Sequence, residues 1–235
     1  MKRWIGVCLF AWLTASPCVA LAQQETPSYL PSSEELEPAP EAGIETHDGL
    51  MLRFAIGPGG GVVKQFYPDI DGLKVDLSGG GLLWSFDLGA GVTDRLTVQA
   101  RLGQLLLLGP SFSAQNARPG SPESEGLPEG SSVSATLVGA GITYHLMPIN
   151  MYVTAIGGLS FISLHIADLA DHDQEVARTG FGVNLDVGKE WWITNQIGIG
   201  VAARFWWATG GAEYRGAELD RTLLAFGLLF SMTYQ

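Results

Sequence analysis

From residue 49 to the C-terminus, apolar positions alternate with small or polar ones at a period of two. The last run is the plainest. Leu224, Phe226, Leu228, Phe230, Met232 and Tyr234 share one parity, and Ala225, Gly227, Ser231, Thr233 and Gln235 the other. Successive side chains of a β-strand point to opposite faces, so this pattern predicts a strand with one greasy face. The device recurs over 197–208, where Ile197, Ile199, Val201, Ala203, Phe205 and Trp207 oppose Gly198, Gly200, Ala202, Arg204 and Trp206. It recurs over 181–190, where Phe181, Val183, Leu185 and Val187 oppose Gly182, Asn184, Asp186, Gly188 and Glu190, and again over 82–92. Further strands are expected at about 50–58, 96–107, 133–146 and 151–164, eight in all. In 133–146 and 151–164 small residues occupy both parities, so the faces of those two strands are not resolved by the pattern.

The connections alternate in length. Those at 93–95, 147–150 and 193–196 are tight, whereas 59–79, 109–132, 165–178 and 209–221 are long and polar or Gly-rich. After residue 22 no window reaches the roughly 18–20 uninterrupted apolar residues of a membrane helix. Short turns at one end and long loops at the other are what an up-and-down barrel in a membrane produces. The expected fold class is therefore all-β: an eight-stranded antiparallel up-and-down transmembrane β-barrel.

The first residues change the picture of where this barrel sits. Lys2 and Arg3 precede an apolar stretch over 4–15, and Ala20-Leu21-Ala22 forms a small-residue cleavage site, so 1–22 reads as a secretory signal peptide. Its removal takes Cys8 and Cys18 with it and makes the formal charge of −11 two units more negative. A chain this acidic is not built for nucleic acid, and without cysteine it has no thiolate chemistry. Residues 23–48 carry Pro27, Pro31, Pro38 and Pro40 among seven acidic residues and no Lys or Arg, which reads as a disordered acidic tail. The expected organisation is 1–22 signal peptide, 23–48 periplasmic tail and 49–235 barrel.

If the greasy parity meets lipid, the other parity carries Arg53, Asp87, Arg101, Asp186, Glu190 and Arg204 inward, with Gln99 and Asn184. Three cations and three anions in a closed lumen must pair, because an unpaired buried ion is costly. The expectation is an interior charge network that fills the barrel; the competing reading is a narrow ion path whose pairs exchange partners. Tyr144, Tyr152, Trp191 and Trp192 flank tight turns, while Phe66, Tyr67, Phe112, Trp206 and Trp207 lie toward the long connections. With Tyr234 they read as interfacial aromatics. Gly57-Pro58-Gly59-Gly60-Gly61 lacks the Gly-Lys-Ser/Thr ending of a phosphate loop. His172 and the acidic cluster Asp168, Asp171 and Asp173 read as a solvated loop, and no cofactor or metal is expected.

The region 49–235 resembles the small eight-stranded outer-membrane barrels of Gram-negative bacteria, the group containing the barrel domains of OmpA, OmpX and OmpW. The stretch 188–200 (GKEWWITNQIGIG) resembles their sixth-to-seventh strand hairpin, and 227–235 (GLLFSMTYQ) their aromatic C-terminal insertion signal. The chain departs from that signal by ending in Gln235 after Tyr234, where the group has a terminal Phe. The resemblance implies residence in the outer membrane, a lipid bilayer around the barrel, and recognition of the C-terminal strand by the barrel-insertion machinery. The His-x-Ser pattern of lipid A deacylase barrels is absent, since His165 is followed by Ile166 and Ala167. These readings lead to a non-enzymatic barrel with a structural or surface-interaction role through its extracellular loops and an unidentified protein partner. The alternatives are a narrow channel for ions or small solutes, and a soluble periplasmic barrel that binds a small ligand.

Overall fold

Alternating residues become strands here because each can satisfy its backbone only by pairing sideways, and the pairing runs full circle. The structure, a computed structural model, describes residues 49–67, 73–115, 124–126, 128, 130–167, 176–214 and 217–235. Within them the strands are β1 (Leu50–Tyr67), β2 (Leu73–Thr93), β3 (Leu96–Leu108), β4 (Ser111–Gln115), β5 (Ser124–Gly126), β6 (Ser132–Leu146), β7 (Met151–His165), β8 (Val176–Arg178), β9 (Gly180–Trp192), β10 (Ile197–Tyr214) and β11 (Ala217–Tyr234). Eight of these form a ring, β1-β11-β10-β9-β7-β6-β3-β2 and back to β1, with every neighbour antiparallel. Closure leaves no open edge within the eight-strand ring, which is what allows strands to cross lipid. No helix among the described residues is long and apolar enough to cross a membrane. The proposed signal peptide and the whole of the acidic tail lie outside the described residues, as do 168–175 with His172.

The short connections at 94–95, 147–150 and 193–196 share one end with both ends of the barrel sequence. Leu52 pairs with Tyr234, and the Gln235 amide donates to the Gln196 carbonyl at 3.0 Å. Three shorter strands extend the wall at the other end. β4 pairs with Lys74–Ser78 of β2 where β3 has stopped, β5 pairs with β4, and β8 pairs with Gly211–Glu213 of β10 along with the ring. Between β3 and β4, Gly109 adopts a φ of +53°, and Pro110 follows without an amide hydrogen to donate, so the ladder breaks and resumes.

Along several strands the two faces exchange chemistry. In β6, Gly139, Gly141, Thr143 and His145 point inward while Val138, Ala140, Ile142 and Tyr144 point outward; nearer the far end Val133, Ala135 and Leu137 are buried inside and Ser132, Ser134 and Thr136 lie outside. β11 does the same: Leu224, Phe226, Leu228 and Phe230 are exposed, but beyond them Leu219 and Leu223 are buried inside and Asp220 is outside. The parity never slips. What changes is the medium beyond the wall: lipid, against which greasy side chains face outward, gives way to water, against which they face inward. The outward apolar run of β6 from Val138 to Leu146 is nine residues long, about the 9–11 that a strand needs to cross the hydrocarbon.

This exchange corrects two expectations. Much of 59–79 and 209–221, read as long connections, is strand, because β1 runs 18 residues, β2 21, and β10 and β11 18 each. Their far-end halves keep the period of two while inverting its sense, with Val63, Val75 and Leu77 inside against Lys64 and Lys74 outside. The Gly-rich patch that concealed them is a cross-strand contact: Gly59, Gly60 and Gly61 face Gly81, Gly80 and Gly79. Leu83 reaches over Gly59, where a Cβ would stand 1.7 Å from its Cδ1. Refolded in detergent, the chain is expected to give a β-rich far-ultraviolet spectrum and a gel band that shifts on boiling. Folding in plain buffer without detergent would contradict the lipid-facing belt.

Candidate functional site in the lumen

The tight-turn half of the lumen is lined by polar side chains because Gly, Thr, Ser and charged residues occupy the inward parity there. Asp87 and Arg101 are direct cross-strand neighbours on β2 and β3. Arg101 Nε and Nη2 each donate to an Asp87 carboxylate oxygen at 2.7 Å, the bidentate fork that guanidinium geometry favours. The third arm crosses the barrel: Arg101 Nη1 lies 2.7 Å from Asp186 Oδ2 on β9. Asp186 in turn accepts from its cross-strand neighbour Arg204, at 2.7 Å from Nε and 2.9 Å from Nη2. Arg204 Nη2 also donates to Ser85 Oγ at 3.1 Å on β2. An unbroken chain of ions therefore runs from β2 through β3 and β9 to β10.

A second cluster lies nearer the tight turns. Arg53 Nη2 is 2.9 Å from Glu190 Oε1, and Arg53 Nε donates to Thr233 Oγ1 at 3.1 Å, which donates on to Glu190 at 2.6 Å. The guanidinium carbon stands 4.4 Å over the Tyr152 ring, a stacking that arginine's flat, weakly hydrated head favours. Gln99 extends the first chain toward the tight turns, donating to Asp87 at 3.5 Å and accepting from Thr143 at 3.0 Å. All six charged residues are 0–2% exposed. Above this floor the lumen is mostly apolar: Leu83, Leu105, Leu137, Ile156, Trp206, Leu223 and their neighbours form one buried cluster, and at the same end Gln65 and Arg221 are buried side by side on β1 and β11, with Arg221 donating to the Ile162 carbonyl at 3.0 Å.

The aromatics divide differently from the girdle expectation. Trp191 and Tyr234 are 47% exposed on the outer face near the tight turns. Trp207 shares the outward parity of β10 and is half-buried. Trp206 is a correction. Even-numbered residues of β10 face the lumen, and its ring is wholly buried in the apolar cluster. Trp192 likewise has the inward parity of β9, half-buried, with its ring over Gly198. Tyr152, read as interfacial, is buried beneath Arg53. It shares its parity with Thr154 and Ile156, which are buried inside, and the sequence pattern of 151–164 does not set that parity.

No protein-family model and no curated protein matches the chain. Among solved structures it is similar to the outer membrane protein OprG from Pseudomonas aeruginosa, with a TM-score of 0.51 and 10% identity over 82% of this chain and 99% of that one. The fold is that of the Gram-negative outer-membrane barrels. The chain is also similar to the outer membrane protease OmpT from Escherichia coli, at a TM-score of 0.44 and 9% identity over 81% of this chain and 97% of that one. Neisserial surface protein A follows at 0.40 and 12%, over 75% and 95%. A closed eight-stranded ring with an apolar outside and a polar floor inside is the architecture that crosses the outer membrane, and this chain has that fold.

Proposed function

We propose that the protein is a closed, non-enzymatic outer-membrane barrel with a structural or surface-interaction role, presenting its far-end wall and loops outside the cell. The observation that carries this reading is the exchange of faces. Beyond the lipid belt, β1, β2 and β11 continue with Lys64, Lys74 and Asp220 outside and Val63, Val75, Leu77, Leu219 and Leu223 buried within, and β10 continues with Ala212 buried. A wall with its own apolar core is a rigid platform standing in water, and rigid scaffolds are what position variable binding loops. A water-filled path would have to pass both the charged floor and this apolar packing, and an eight-stranded ring is only wide enough for its own side chains. The short turns then face the periplasm, together with the acidic tail, and the C-terminal strand engages the insertion machinery.

Planar-bilayer recording tests this reading against a channel. The wild-type barrel is expected to give no unitary conductance steps, and Arg204→Ala to give none either, since the apolar packing around Trp206 closes the lumen independently of the floor. Regular conductance steps from the wild type would overturn the proposal in favour of a solute pathway.

A further inference from the structure

On the lipid belt one side chain and one dent stand out. Among the described residues, Lys189 is the only charged side chain on the outward face of the apolar band. It sits near the tight turns, where its Nζ donates to the Ile149 carbonyl at 2.9 Å and stands 5.7 Å from the Trp191 ring centroid. An ammonium carries three hydrogens, so this contact leaves others to offer. Beside it a groove of about 410 Å³ opens outward across β9, β10 and β11. Its floor is Ala203, and its walls include Val187, Val201, Leu228 and Phe230. Ala203 lies between Val201 and Phe205 on the outward parity of β10, and directly opposite Val187 and Leu228 on the flanking strands. The wall dips because Ala203, the small outward side chain of β10 in this stretch, falls amid larger ones.

We propose that this groove and Lys189 together bind one anionic phospholipid of the leaflet on the tight-turn side, with an acyl chain along Ala203 and the phosphate on the Lys189 ammonium. Charge complementarity selects this occupant. A lysine on the lipid face is tolerated near an interface and costs more toward the midplane, and there a headgroup phosphate is the anion within reach. A second copy of the barrel would bring its own apolar belt against the groove, and among the described residues that belt offers no carboxylate. Lys189 would then be desolvated without a partner, which is unfavourable.

Native mass spectrometry of the intact barrel in mild detergent provides the test, with phosphatidylglycerol or phosphatidylcholine of identical chains added at equal concentration. Phosphatidylglycerol is expected to be retained about fivefold more, the effect of one lysine near a membrane surface. Lys189→Gln should abolish that preference, and Ala203→Phe, which fills the groove, should abolish retention of either lipid while leaving the heat-shifted gel band intact. Equal retention of the two lipids by the wild type would overturn the proposal, as would retention unchanged by Ala203→Phe in a folded barrel.

Discussion

Arg101→Met is expected to destabilise the barrel by about 3–5 kcal/mol, the usual consequence of removing one partner from a buried ion pair. The reason lies in its three arms. Two hold Asp87 on the neighbouring strand and the third holds Asp186 across the lumen. Methionine fills a similar volume and leaves two carboxylates in a closed interior: Asp87 with the 3.5 Å contact from Gln99 and the charge of its cross-strand neighbour Arg53 but no guanidinium hydrogen bond, and Asp186 with Arg204. The penalty therefore comes from the stranded anions, more than from the lost attraction. Adding Asp87→Asn to Arg101→Met should then recover part of the loss, because a neutral amide is cheaper to bury than an unpaired carboxylate. Urea titration of tryptophan fluorescence in detergent micelles measures both variants. A double variant no more stable than Arg101→Met alone would show that the stranded charge is not the cause.

How far such a network is legible beforehand depends on parity and register separately. The alternation in 82–92, 181–190 and 197–208 is enough to set Asp87, Asp186, Glu190 and Arg204 on one face, because a strand's side chains alternate whatever it pairs with. Which anion meets which cation is not in the pattern. The pairing of Arg101 with Asp87 is a matter of register, and its reach to Asp186 depends on ring closure and lumen width. The two strands whose parity was unresolved, 133–146 and 151–164, were obscure for a physical reason. Each crosses from lipid to water part-way along, so Val138 facing out and Leu137 facing in are both correct burial. A reading that assigns one greasy face per strand cannot represent this. It also shortens β1, β2, β10 and β11, whose far-end halves look like polar loop only when the outward face is required to be apolar. Trp206 is the opposite case: the parity of 197–208 puts it inward with Arg204, while its residue type alone suggests an interface.

Tyr152 and Gly188 should behave as one unit. The hydroxyl end of the Tyr152 ring lies against Gly188 of the neighbouring strand, where an added Cβ would stand 2.4 Å from the ring carbon Cζ and 2.5 Å from the hydroxyl oxygen. The same ring carries the Arg53 guanidinium 4.4 Å from its centroid, so moving the ring disturbs that stacking. Gly188→Val is thus expected to cost at least the roughly 1–3 kcal/mol of an overpacked core, since displacing the ring also disturbs Arg53 and its contact with Glu190. Tyr152→Ala alone should cost about 3–5 kcal/mol, as for other buried aromatics replaced by alanine. In the double variant the valine grows into space the ring has vacated, so the combined loss should fall short of the sum by about 0.5–3 kcal/mol, the range for residues in direct contact. The same urea titrations, run on wild type, both single variants and the double, complete the cycle. Strict additivity would mean that the ring has room to move and that glycine at 188 is there for some purpose other than seating Tyr152 under Arg53.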